Sequence, residues 1–158
     1  MNEKLKNILQ GYIEFDIVHL EGTELSSDDA GCTRYGLNTK YDGLSCEELQ
    51  NMTIDKAIQI YYNKLSDIFL NIYNQTQSIK LALMYLDIMN LQGQSQAERC
   101  LRFAMRGMTE EDRVNRMTYI RMMKLFLLAE NNENLNKYLD GWLNRAFKVY
   151  RYIYNINS

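Results

Sequence analysis

Apolar residues return at helical spacing along most of this chain, and that spacing predicts its elements. Leu5, Ile8, Leu9, Tyr12, Ile13, Ile17 and Leu20 fall nearly on one side of a helix over residues 3–20, with Asp16 on the same side and Glu21 at its C-terminal end. The pattern then stops. Residues 22–46 hold four of the eight glycines among Ser, Asp, Asn and Thr, a turn-rich region with room for a short hairpin or none. Ser45-Cys46-Glu47-Glu48 has the form of a capping box, in which Ser45 caps and Glu48 reaches back. Thr53 opens a further helix that Ile54, Ala57, Ile58, Tyr61, Leu65, Ile68, Phe69 and Ile72 carry to about residue 73.

Helices follow over residues 78–91, with Ile79, Leu83, Leu86 and Met89 inside, and over 95–106, with Ala97, Cys100, Leu101 and Ala104 inside. Thr109-Glu110-Glu111-Asp112 places acids at the positive end of a long helix that runs to Glu130, where Asn131-Asn132 breaks it. A last helix over 134–153 carries Leu135, Leu139, Trp142, Leu143, Ala146, Val149, Tyr150 and Ile153 on one stripe, so Trp142 is expected in the core. Proline is absent, so boundaries rest on Gly, Asn and caps. No repeat or linker divides the 158 residues, which predicts a single domain over 1–158 burying about 68–70% of its unfolded surface.

Composition narrows the function classes. A hydrophobic content of 46% with 24% charged residues is ordinary for a globular protein, and a net charge of −2 lacks the basic footprint of a nucleic-acid binder. Arg99, Arg102, Arg106, Arg113, Arg116 and Arg121 are spaced among acids as a solvated face would be. No run approaches the roughly 20 apolar residues that span a bilayer. Three cysteines, Cys32, Cys46 and Cys100, are an odd and sparse set that suggests free thiols over a Cys32–Cys46 bond. The single histidine, His19, has no Cys at ligand spacing, and its ordinary role is on a helix face. No metal or organic cofactor is expected.

The candidate chemistry sits where the first helix ends. A carboxyl at the lip of a cleft suits a general acid, because partial desolvation disfavours ionisation. Glu21-Gly22 is followed by Asp28, Asp29 and Gly31-Cys32-Thr33-Arg34-Tyr35-Gly36-Leu37. Two carboxyls and a hydroxyl around one gap are the equipment for cutting a glycosidic bond. Glu-Gly, Asp and Gly-x-Thr-x-Tyr-Gly in this order resemble the signature of glycoside hydrolase family 108, the N-acetylmuramidases found among phage endolysins and bacterial wall-cutting enzymes. Asp87-Ile88-Met89-Asn90-Leu91-Gln92-Gly93 resembles the family's Asp-x-x-Val-Asn-His-Gly segment, and Gly141-Trp142-Leu143-Asn144-Arg145 its C-terminal Gly-Trp-x-x-Arg helix. The chain departs from it at Thr23-Glu24, at Ala30 and over Met105–Glu111.

The resemblance implies a mainly helical, lysozyme-like α+β fold, with a helical lobe, a small loop or hairpin lobe and a cleft. It implies hydrolysis of the β-1,4 bond between N-acetylmuramic acid and N-acetylglucosamine in peptidoglycan. Glu21 would be the general acid, Asp28 or Asp29 the second carboxylate, and Thr33 a hydroxyl holding that carboxylate or a water. Asn90 and Gln92 would contact N-acetyl groups. Tyr35 is a further candidate for substrate binding, although with Gly36 its first role is to shape the backbone. A lytic transglycosylase and a non-catalytic wall-binding or assembly protein are the alternatives. The first residues, Met1–Asn7, carry charge without an apolar export segment. Synthesis in the bacterial cytoplasm and release to the wall through a holin or dedicated export machinery are therefore expected.

Overall fold

The computed structural model describes residues 1–28 and 31–156, mainly helical with one small antiparallel sheet. It contains two compact units, Met1–Asp67 and Ile68–Ser158. Among the described residues no helix is long and apolar enough to cross a membrane.

The first unit begins with α1 (Glu3–Asp16), capped by Asn2, whose Oδ1 accepts the Leu5 N–H at 2.9 Å. Leu5, Leu9, Tyr12 and Ile13 are buried on one face, as the spacing predicted. The helix then widens into a π-helical turn, Ile17–Glu21, closed by the Gly22 N–H donating to the Ile17 carbonyl at 3.0 Å. Three short strands follow: β1 (Ser26–Asp28), β2 (Gly31–Arg34) and β3 (Leu37–Asn38). They form one sheet in the order β1-β2-β3, with Ser26 opposite Thr33 and Arg34 opposite Leu37. The turn-rich stretch thus holds two hairpins.

Helix α2 (Thr39–Asp42) and helix α3 (Cys46–Gln50) come next. The capping box on α3 forms as expected: Ser45 Oγ accepts from the Glu48 N–H, and Glu48 accepts from the Ser45 N–H at 2.7 Å. These hydrogen bonds hold the Glu48 carboxyl below its ordinary pKa. Cys32 on β2 and Cys46 at the start of α3 form a disulfide, their Cα atoms 5.4 Å apart, which corrects the expectation of free thiols. Strand β2 packs against α3, and that packing supplies the proximity which an odd cysteine count does not reveal. Closing a loop of this size stabilises the fold by about 3 kcal/mol in the chain-entropy account. Cys100 is free and buried, and burial raises its thiol pKa.

Helix α4 (Ile54–Thr76) starts in the first unit and ends in the second. The second unit is built round α5 (Ile79–Gln92), capped by Ser78, in which every residue from Leu81 to Ile88 is buried. A helix buried on all sides is central to its fold. Packed on it are α6 (Gln94–Ala104), α7 (Glu110–Glu130) and α9 (Leu139–Tyr154), with a single turn, α8 (Glu133–Asn136), between the last two. Thr109 caps α7 as expected, its Oγ1 accepting the Asp112 N–H at 3.1 Å.

A carboxylate inside α5 needs partners in so apolar a setting. Asp87 is fully buried and pairs with Arg121 of α7, which is 1% exposed, and with Arg145 of α9 at 3.5 Å. Arg99, Arg102 and Arg106 are exposed as a solvated face requires, whereas Arg121 is a core residue. Helical spacing placed it with the others, but the acid that recruits it lies on a different helix. Trp142 is half-buried beside a cavity, not enclosed in the core as its stripe suggested.

Candidate active site

Glu21 closes the π-helical turn, and the extra residue in that turn sets the direction in which its side chain leaves the helix. Such turns recur at functional sites. Gly22 follows at φ +83, a conformation that favours glycine, so the chain reverses immediately after the acid. Glu21 itself is exposed, so the fold does not bury the carboxyl as the sequence pattern suggested.

The side chain of Glu21 lies against the β2–β3 hairpin. Tyr35 and Gly36 form its two-residue turn, both at positive φ (56 and 75), as a type I′ turn requires. A Cβ placed on Gly36 would meet Glu21 Cγ at 2.9 Å and Tyr61 Oη at 2.6 Å, so only glycine leaves room for the acid here. Tyr61, from α4, donates its hydroxyl proton to the Tyr35 carbonyl at 3.2 Å and ties the turn to the helix. The Tyr35 ring is buried, with the Arg34 guanidinium 4.8 Å above it, so Tyr35 contributes to the shape of the turn.

Arg34 is a residue that the sequence pattern did not single out. Its Nε donates to the Thr23 carbonyl at 3.1 Å, and its Nη1 donates to the Leu49 and Gln50 carbonyls at 3.2 and 2.6 Å. One guanidinium therefore fastens the segment just after Glu21 to the C-terminal end of α3. The only sequence signal was a charged residue between Thr33 and Tyr35. Tyr61 was equally hidden, because its place on the apolar stripe of α4 reads as core.

Thr33 stands on the central strand, and its Oγ1 accepts a hydrogen bond from Asn38 Nδ2 at 2.7 Å. Asp28 is the last residue of β1, in register with Gly31. Asp29 lies outside the described residues. Asn90 and Gln92 belong to the second unit, at the C-terminal end of α5. Asn90 is exposed, whereas the polar side-chain atoms of Gln92 are out of solvent. His19 is exposed and packs its ring 5.4 Å from that of Phe15. No protein-family model, curated protein or solved structure matches this chain.

Gly36→Ala tests the contact with Glu21. The added methyl must move Glu21 or Tyr61 and takes a left-handed backbone with a side chain, which costs about 1–3 kcal/mol. The expected result is a lower melting temperature together with loss of most of any activity that depends on Glu21. Unchanged melting would show that the turn accommodates the methyl and does not hold the acid.

Proposed function

We propose that the chain is an N-acetylmuramidase with a lysozyme-like fold, hydrolysing the β-1,4 bond between N-acetylmuramic acid and N-acetylglucosamine in peptidoglycan. One observation carries this proposal: the acid of the Glu-Gly motif leaves a π-helical turn and packs on the glycine of the Gly-x-Thr-x-Tyr-Gly motif. Two segments of the resemblance thus meet at a carboxyl.

In the proposed reaction the Glu21 carboxylic acid gives its proton to the glycosidic oxygen as the bond from that oxygen to the anomeric carbon breaks. Positive charge develops on the muramic ring, and Asp28 or Asp29 stabilises it or orients the water. Water adds at the anomeric carbon and yields its proton to a carboxylate, leaving a reducing end. The exposure of Glu21 is compatible with this role, since a bound glycan strand would itself exclude water from the acid.

Digestion of purified peptidoglycan, with mass spectrometry of the new muramic ends, tests the proposal. The expected products carry one added water and are reduced by borohydride. Predominantly 1,6-anhydro ends would replace the hydrolase by a lytic transglycosylase. No new ends at any concentration of folded protein would leave a non-catalytic wall-binding protein.

A further inference from the structure

The second unit forms a cavity of about 370 Å³, partly open to solvent, between α5, α6, α7 and α9, within the range of small-molecule sites. Its walls are largely apolar, from Leu91, Leu125, Leu128 and Trp142. Two polar groups at its edge lack partners. Gln92 keeps both its side-chain nitrogen and its side-chain oxygen out of solvent without a hydrogen bond. Arg121, 1% exposed, spends one Nη on Asp87, while its Nε and other Nη have no hydrogen-bond partner. Buried donors and acceptors left in this state are costly, and a ligand that supplies the missing partners recovers that cost.

Charge points the same way. Arg121 shares the carboxylate of Asp87 with Arg145. Lys124 adds a second cation to the cavity wall, and among the described residues no acid lines it. An occupant that fits all three features carries a carboxylate for Arg121, an amide for Gln92 and a compact apolar body for the leucines and Trp142.

We propose that this cavity binds a small N-acyl amino acid with an apolar side chain. The amide C=O accepts from Gln92 Nε2 and the amide N–H donates to Gln92 Oε1, while the carboxylate takes the free edge of Arg121. The site is made from residues of the second unit alone and stands whether or not the chain cleaves glycan.

Trp142 is the only tryptophan, so its fluorescence reports on the cavity directly. Titration of the full chain with N-acetyl-L-leucine is expected to give a saturable change in Trp142 emission and a raised melting temperature. N-acetyl-L-leucinamide, which lacks the charge, and 4-methylpentanoate, which lacks the amide, should each bind at least about tenfold more weakly. Gln92→Leu, which avoids the Asp87 cluster, should weaken N-acetyl-L-leucine while leaving 4-methylpentanoate unchanged. The proposal fails if folded parent protein gives no saturable change up to about 10 mM, an affinity weaker than roughly 3 kcal/mol. It fails equally if the uncharged amide binds as well as the acid, or if Gln92→Leu alters both ligands alike.

Discussion

Glu21→Gln is expected to lower the rate of peptidoglycan clearing by about 10²–10⁴-fold while melting and helical circular dichroism stay at parental values. The amide keeps the size of the side chain and its fit against Gly36, but has no acid proton to give. Glu21 is exposed and Gln keeps its length, so the exchange is expected to remove little packing. Turbidity loss of a wall suspension, read beside thermal melting of the same samples, checks both halves. Activity within about tenfold of the parent would remove Glu21 from the reaction. Activity that falls only together with melting would make the residue structural.

The largest effect on stability is expected at Asp87. Asp87→Asn keeps the shape of the side chain but leaves Arg121, at 1% exposure, without its counter-charge. Breaking a buried pair from one side costs about 3–5 kcal/mol, a large part of the stability of most domains. Urea unfolding followed by circular dichroism should show the shift in midpoint. The double variant Asp87→Leu with Arg121→Met should recover much of the loss, because apolar replacement of a whole buried pair is often neutral or stabilising. Arg145 keeps some access to water, its side chain being 13% exposed. If Asp87→Asn unfolds at the parental midpoint, the ion cluster contributes nothing to the second unit.

Most helices could be read from the chain because their signals are local. Thr109 and Ser45 sit three residues before the backbone groups they cap, and apolar spacing within one helix needs no knowledge of any other. The sheet was harder, since strands of two to four residues are too short to show an alternating pattern. The turn that joins β2 to β3 also puts Tyr35, a residue unusual at positive φ, in its first central position. At the candidate site, Glu21 and Gly36 could be singled out by motif, but their contact required the hairpin to fold back over the π-helical turn. Arg34 and Tyr61 act through carbonyls of distant residues, which leave no trace in spacing. Arg121 looked like its exposed neighbours until Asp87, the one acid in a run of buried residues, was seen to face it.

The bond between Cys32 and Cys46 also bears on when the first unit matures. Disulfides form and persist in oxidising surroundings and are rare where glutathione keeps thiols reduced. A chain made in a reducing cytoplasm would carry two thiols there, with β2 joined to α3 by packing and by the grip of Arg34. Oxidation after passage to the wall side would then fasten the strand that leads to Tyr35 and Gly36, next to the proposed acid. On the proposed function, the covalent link would be made where the substrate is met, and the lobe would be firmest there.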